Sequence, residues 1–530
     1  MAKKPSVING DASALTSKEV SRSDFPPNFV FGVATSAYQV EGACTEGNRG
    51  PSIWDAFTHT EGKIADGGNG DVAVDQYHRY KEDVQLISML GFDAYRFSIS
   101  WSRIFPDGLG TEVNEEGIAY YNNLIDALLE KGIEPYVTLY HWDLPLKLQE
   151  SIGGWLSKEI VNHDFAYRVV TFLTDAAKMN SHSHIDMTNI VSTTGKSRKY
   201  FTSYAETCFE KFGDRVKNWI TINEPLQTAI NGHCVGIFAP GRSENSLTEP
   251  YLAAHNQLLA HASAVSVYRN KFKKMQGRQI GLVVDCEWAE PLSESAEDKI
   301  AAARRLDFQL GWYLDPIYFG DYPLVMRAKL GEQLPKFSEE ERDLLKNSLD
   351  FVGLNHYTTR YIAHATGNHE NHDYYAAQEM ERIAAWGEGE KIGEKAASEW
   401  LYVVPWGIRK MLNHLKEKYN DPLIYVTENG MDDEEDDSAE LHEVLDDKLR
   451  VSYFKGYVAA VKEAIEDGVN VRGYFAWSLL DNFEWAEGYT KRFGIVYVDY
   501  KKGLSRHPKS SAFWWMRFLK GSKGKDGKEE

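Results

Sequence analysis

Eight short apolar runs, separated by stretches with helical periodicity, constrain the fold of this chain more than any other feature. They are Phe29–Ser36, Ala94–Ile99, Tyr136–Tyr140, Trp219–Asn223, Gln279–Val284, Phe351–Asn355, Leu423–Thr427 and Val471–Trp477. Most are continuously apolar rather than alternating, the pattern of strands buried on both faces. Helices fall between them. Asn114–Lys131 places Ile118, Tyr121, Ile125, Leu128 and Leu129 on one face, starts at Asn114 with two acidic residues after it, and stops at Gly132. Val451–Asp467 stacks Phe454, Tyr457, Val458, Val461 and Ile465 and stops at Gly468. Repeated strand–helix alternation predicts an α/β fold: a single (β/α)8 TIM barrel with long loops at the C-terminal face of the strands.

Such barrels place their chemistry at the C-terminal strand ends. Polar residues gather there: Gln39 and Glu41 after the first strand, Arg96 on the second, His141-Trp142 after the third, and Asn223-Glu224 at the fourth. Asn355 and Tyr357 end the sixth, Glu428 the seventh and Trp477 the eighth. Two segments stand out, Thr221-Ile222-Asn223-Glu224-Pro225 and Tyr425-Val426-Thr427-Glu428-Asn429-Gly430. Each carries one Glu where a strand meets a loop. Paired carboxylates in such places are what hydrolysis of a glycosidic bond requires.

Bulk properties exclude several partners. The chain has 530 residues with a net charge of −19, which argues against nucleic acid and anionic membranes. No stretch approaches the ~20 apolar residues of a membrane span. The N-terminus lacks the apolar core of a signal peptide. Cys44, Cys208, Cys234 and Cys286 form no metal motif, and there is no Asn-x-Ser/Thr site. A cytoplasmic location is expected, with no cofactor and no metal. The acidic run Asp432–Asp437 reads as a solvated loop, and residues 1–23 and 520–530 as disordered tails.

The ordered motifs resemble glycoside hydrolase family 1, and most closely its plant β-glucosidases. They include Phe31-Gly32-Val33-Ala34-Thr35-Ser36-Ala37-Tyr38-Gln39-Val40-Glu41-Gly42, Tyr95-Arg96-Phe97-Ser98-Ile99-Ser100-Trp101-Ser102-Arg103 and His141-Trp142-Asp143. The two Glu motifs, Asn355-His356-Tyr357 and Trp477-Ser478-Leu479-Leu480-Asp481-Asn482-Phe483-Glu484-Trp485 complete the set. The resemblance covers residues 24–519 and implies a retaining β-glucosidase acting on small O-β-glucosides. Glu224 would be the general acid/base, its carboxyl raised by burial and a second carboxylate. Glu428 would be the nucleophile, kept ionised beside Arg96 and Tyr357, with Asn223 in support. Gln39, His141, Asn223, Asn355, Tyr357 and Glu484 would hold the sugar. Trp477 would stack on its ring, Trp485 offer its indole N–H, and Phe493 close the wall. Trp400 would stack on the aglycone, and Thr358–Glu399 would form a long entrance loop. Glu rather than Gln at the acid/base position favours O-glycosides over thioglucosides. The Glu484-Trp485 region lacks the Ser and Lys of phospho-glycosidases, which favours a neutral sugar. Transglucosylation to an acceptor alcohol is the alternative reaction. The oligomeric state is left open.

One segment departs from the family pattern. About residues 162–198 are extra, rich in Ser, Thr, His and Asn, and abrupt at both edges. They read as translated non-coding sequence of a splice form, or else as an evolved surface element. A short helix is expected within them at Tyr167–Lys178. They precede the helix leading into the Glu224 strand, so a catalytically impaired, glycoside-binding form is a further alternative.

Overall fold

In the computed structural model, which describes residues 20–161, 200–365, 373–386, 389–436 and 438–521, the eight runs close into one parallel barrel. Its strands are β1 Val30–Ala34, β2 Ala94–Ser98, β3 Glu134–Tyr140, β4 Asn218–Asn223, β5 Gln279–Asp285, β6 Phe351–Asn355, β7 Ile424–Asn429 and β8 Val471–Trp477. They pair in the order β1-β8-β7-β6-β5-β4-β3-β2. Six of the eight differ from the sequence reading by one or two residues at an end. β5 runs one residue further, to Asp285, and β7 two further, to Asn429.

β4 and β6 are buried along their whole length, because the barrel interior covers one face and helices the other. The helix Glu115–Glu130 is capped as expected, with the Asn114 side chain accepting from the Glu116 N–H. The later helix starts three residues before its expected start, at Lys448.

Register shifts interrupt the ladder next to both Glu motifs. One falls between Ile220 and Asn223 on the β4–β5 pair, and another between Val426 and Glu428 on the β6–β7 pair. Such irregularities re-aim side chains at barrel rims. Gly430, two residues after Glu428, is required by close approach: a Cβ there would lie 1.8 Å from the Trp477 carbonyl.

The expected insertion lies outside the described residues, but both chain ends flanking it are packed. Ile160 and Val161 are buried, and the helix Tyr200–Phe212 buries Tyr200, Phe201, Tyr204 and Phe209. Tyr204 stacks on Trp101 at 4.9 Å. Its hydroxyl donates to the carbonyls of Ile99 and Leu139, which ties this helix to the ends of β2 and β3. Each such aromatic contributes about 1.5–3 kcal/mol of burial.

Three expectations need correction. Thr358–Glu399 is not a plain loop: Thr359–His364 and Met380–Ile383 join Trp288–Pro291 in a three-stranded sheet outside the barrel. The acidic run is not solvated over its first part. Asp432 is fully buried and accepts from Ser398, Asp433 pairs with Arg450 at 2.6 Å, and Glu434 and Glu435 pair with Lys491 and Arg492. Buried charges persist when they are paired, so run composition alone misleads here; Asp437 lies outside the described residues. Finally, ordered chain extends past the expected tail boundaries. Arg22 pairs with Asp93 at 2.8 Å, and the last helix includes Lys520; residues 1–19 and 522–530 lie outside the described residues.

Candidate active site

The ends of β4 and β7 deliver the two glutamates to one cavity of about 490 Å3. Glu428 is held from two directions. Arg96, rising from β2, donates Nη1 to Glu428 Oε1 at 2.5 Å and to the Thr427 carbonyl at 3.1 Å. The Tyr357 hydroxyl donates to Glu428 Oε2 at 2.6 Å. Burial first, then Glu428 and Glu224, push the Tyr357 phenol well above its ordinary range, so it remains a donor. Behind Glu428, Asn429 Nδ2 donates to the His356 carbonyl and the Tyr453 oxygen, and its Oδ1 accepts from Tyr474.

Glu224 sits differently. It caps the helix Pro225–Ile230 in the left-handed region, at φ 44° and ψ 63°, a conformation uncommon for a residue with a side chain. Pro225 supplies the first helical position and disfavours right-handed helix at the residue before it. Among the described residues one side-chain donor reaches the carboxyl, Asn355 Nδ2 to Oε1 at 2.6 Å. Burial, then Asp285, then Glu428 raise the Glu224 carboxyl well above the usual carboxylate range, against Asn355 and Arg96.

Asn223 joins the two centres. Its Oδ1 accepts from Arg96 Nη2 at 2.6 Å and from Asn355 Nδ2 at 3.1 Å, and its Nδ2 lies 3.1 Å from His141 Nε2. Burial, with Arg96 adding, holds His141 neutral, so Nε2 accepts and the proton sits on Nδ1. The His141 ring stacks with Trp477 at 6.0 Å and with Trp485 at 5.9 Å. Glu484 accepts from Asn482 at 3.0 Å and Gln39 at 3.2 Å, and burial pushes its carboxyl up to about 8.

His141, Glu224, Asn355, Tyr357, Trp400, Glu428, Trp477, Glu484, Trp485 and Phe493 all line the cavity. Gln39, Arg96 and Asn223 are buried against it, each bonded to a residue on its wall. Trp477, Trp485 and Phe493 are almost fully buried, whereas Trp400 is 44% exposed at the mouth. Inside, therefore, are polar groups and two indoles in one enclosed wall; outside is an aromatic rim. The arrangement can hold a hydroxyl-rich ring against apolar surfaces, attack one face of it and protonate a group leaving from the other.

Two residues of the site have places that the sequence reading did not assign them. Trp142 donates its indole N–H to the Asn223 carbonyl at 3.0 Å. Asp285 lines the cavity beside Glu224. It ends β5, the one strand for which no terminal polar residue was sought, and the rule applied to the other seven would have found it. Among the described residues no cluster of His, Cys, Asp and Glu could hold a metal, and no helix is long and apolar enough to cross a membrane.

The family model for glycosyl hydrolase family 1 matches residues 21–195 and 194–524, and the break between the two parts falls inside the extra segment. The chain is 62% identical to beta-glucosidase 42 of Arabidopsis thaliana over 531 residues, covering 100% of both chains. It is 62% identical to beta-glucosidase 4 of Oryza sativa subsp. japonica, over 95% of this chain and 96% of that one. Among solved structures it resembles a mutant rice Os3BGlu6 β-glucosidase in a covalent complex with Glc. That match has a TM-score of 0.86 and 48% identity, and covers 94% of this chain and 99% of the other.

Proposed function

The chain belongs to glycosyl hydrolase family 1, and from that premise we propose a division of labour between its two buried glutamates. The protein is a retaining β-glucosidase working by double displacement through a covalent glycosyl-enzyme. Glu428 is the nucleophile: its carboxylate oxygen bonds to the anomeric carbon as the glycosidic bond breaks. Glu224 gives its proton to the departing aglycone oxygen. Glu224, now a carboxylate, then takes a proton from water, whose oxygen displaces Glu428 and restores both groups.

The observation that carries this reading is the asymmetry of the pair. Glu428 accepts on both oxygens, from a guanidinium and a phenol, which orients it as a nucleophile. Glu224 has one amide donor and a carboxyl raised by burial and carboxylate neighbours, which suits an acid that must stay protonated near neutral pH.

Within the pocket, Gln39, His141, Asn223, Asn355, Tyr357 and Glu484 are proposed to bind sugar hydroxyls. Trp477 stacks on the ring, Trp485 offers its indole N–H, Phe493 closes the wall and Trp400 receives the aglycone. A cavity of about 490 Å3 supports small O-β-glucosides as substrates. The four unpaired thiols support a reducing, cytoplasmic location, which fractionation of tissue with an antibody to the chain would test.

The assignment is tested by inactivating the enzyme with a 2-fluoro-2-deoxy-β-glucoside and mapping the adduct. A glycosylated peptide containing Glu428 is expected. Labelling at any other carboxylate would remove the assignment.

A further inference from the structure

The chemistry above leaves the end of β5 unused, and Asp285 stands there. Strand register pairs Asp285 with Asn355 on β6, the residue that donates to Glu224. The Glu224 N–H donates to the carbonyl of Val283, two residues before Asp285 on the same strand, at 2.9 Å. Asp285 Oδ2 accepts from Gln227 Nε2 at 2.8 Å, and Gln227 belongs to the short helix that Glu224 caps. Asp285 Oδ1 is buried and has no hydrogen-bond donor among the described residues. The two carboxyl groups line one cavity, served by two neutral amides. The nearby cation, Arg305, is engaged elsewhere, at 3.1 Å to Glu287 and 2.9 Å to Gln378.

We propose that Asp285 is a positioning residue for the acid/base: it shares the buried space with Glu224 so that the pair holds one proton, which stays on Glu224 for delivery to the leaving oxygen. This rests on Glu224 being the acid/base. Two carboxylates in one buried site cannot both ionise at ordinary cost, so their protons leave in two separated steps that belong to the pair. Asp285 acts on Glu224 more strongly than Glu428 does, second only to burial. Asp285 itself is pushed up to about 6, chiefly by burial, with Gln227 and Arg305 opposing and Glu428 adding. The remaining titratable neighbours do not supply this charge. Arg96 opposes it at Glu224, His141 is neutral, and the phenols of Tyr313, Tyr357 and Tyr374 are all raised.

The sign follows. Above about pH 6 Asp285 is charged and holds the proton on Glu224. Asp285→Asn keeps the shape and removes the charge, so the Glu224 proton leaves at lower pH. With an alkyl β-glucoside, whose leaving group needs protonation, the basic limb of kcat/KM should move down by about one pH unit. With 2,4-dinitrophenyl β-glucoside, which leaves unprotonated, the profiles of the two proteins should coincide. Coincident basic limbs on the alkyl glucoside, or an equal loss on both substrates at every pH, would overturn the proposal.

A second measurement does not need the Asp285 variant. Glu224 is protonated while Asp285 titrates, so Glu224→Gln should leave the Asp285 midpoint at about 6, read by infrared difference titration of the carboxyl bands. A midpoint lowered by about a unit or more would mean that Glu224 is charged in that range, and sinks the proposal. Alkyl-glucoside turnover retained in Glu224→Gln would instead sink the acid/base assignment and leave the infrared result standing.

Discussion

The ends of β4 and β7 carry the same side chain in opposite settings. Glu428 lies within a barrel strand, is bonded on both oxygens, and is backed by Asn429, which itself makes three bonds. Glu224 lies just past its strand, in a left-handed cap, with one donor and two carboxylate neighbours. The difference shows how a fold makes an acid and a nucleophile from one residue type. It does so by the number and charge of the donors it aims at each, and by whether the backbone there is strand or cap.

The largest effect should come from Glu428. Glu428→Ala removes the atom that attacks, and turnover of a chromogenic β-glucoside should fall by at least about 10^4-fold, or ~5.5 kcal/mol of barrier. Retention of the rate would place the nucleophile elsewhere. Glu224→Gln should be milder and selective. It should slow substrates with poor leaving groups by about 10^2- to 10^4-fold and activated aryl glucosides much less in the first step, so that the glycosyl-enzyme accumulates and appears by mass spectrometry. Equal losses on both substrate classes would erase the contrast between the two sites. Next comes Tyr357→Phe, which strips one of the two donors from Glu428. A hydrogen bond to a charged group is worth ~1.5–3 kcal/mol, so kcat/KM should fall about 10- to 100-fold, and a loss below about threefold would mean that Arg96 alone orients the nucleophile.

These contrasts were unevenly legible in the sequence. Both Glu motifs were visible because each ends an apolar run, and the barrel was visible because eight such runs alternate with helices. The settings were not. Glu224's left-handed cap follows from β4 meeting a proline-led helix, and the register shifts beside both glutamates depend on neighbouring strands far away in sequence. Asp285 stands one residue past the expected end of β5, where the strand-end pattern of the other seven strands marks it as well. The buried carboxylate of Asp432 was hidden in an acidic run because its partner, Ser398, lies 34 residues away. The extra segment raised doubt about the placement of Glu224. Beyond that segment, the helix Tyr200–Phe212 is bonded through Tyr204 to Leu139 in β3 and to Ile99 just past β2.

The smallest expected effect asks whether burial neutralises a carboxyl on the sugar side of the cavity as it does on the leaving-group side. Glu484 is partly buried among Asn482, Gln39 and the indoles, and its carboxyl is pushed up to about 8 from 4.5, chiefly by burial, with Asn482 opposing and Asp432, Glu428 and Glu487 adding. A carboxyl raised in the folded state contributes stability that is whole below about pH 4.5 and is lost as pH rises towards 8. Glu484→Gln has no proton to lose. The unliganded wild type should therefore lose thermal stability relative to this variant between pH 5 and 8, by a few degrees of Tm at most in a chain of this size, with no further divergence above that. A Tm difference that does not vary with pH would show that Glu484 owes its state to its donors rather than to burial, and burial would then neutralise a carboxyl only on the leaving-group side of the cavity.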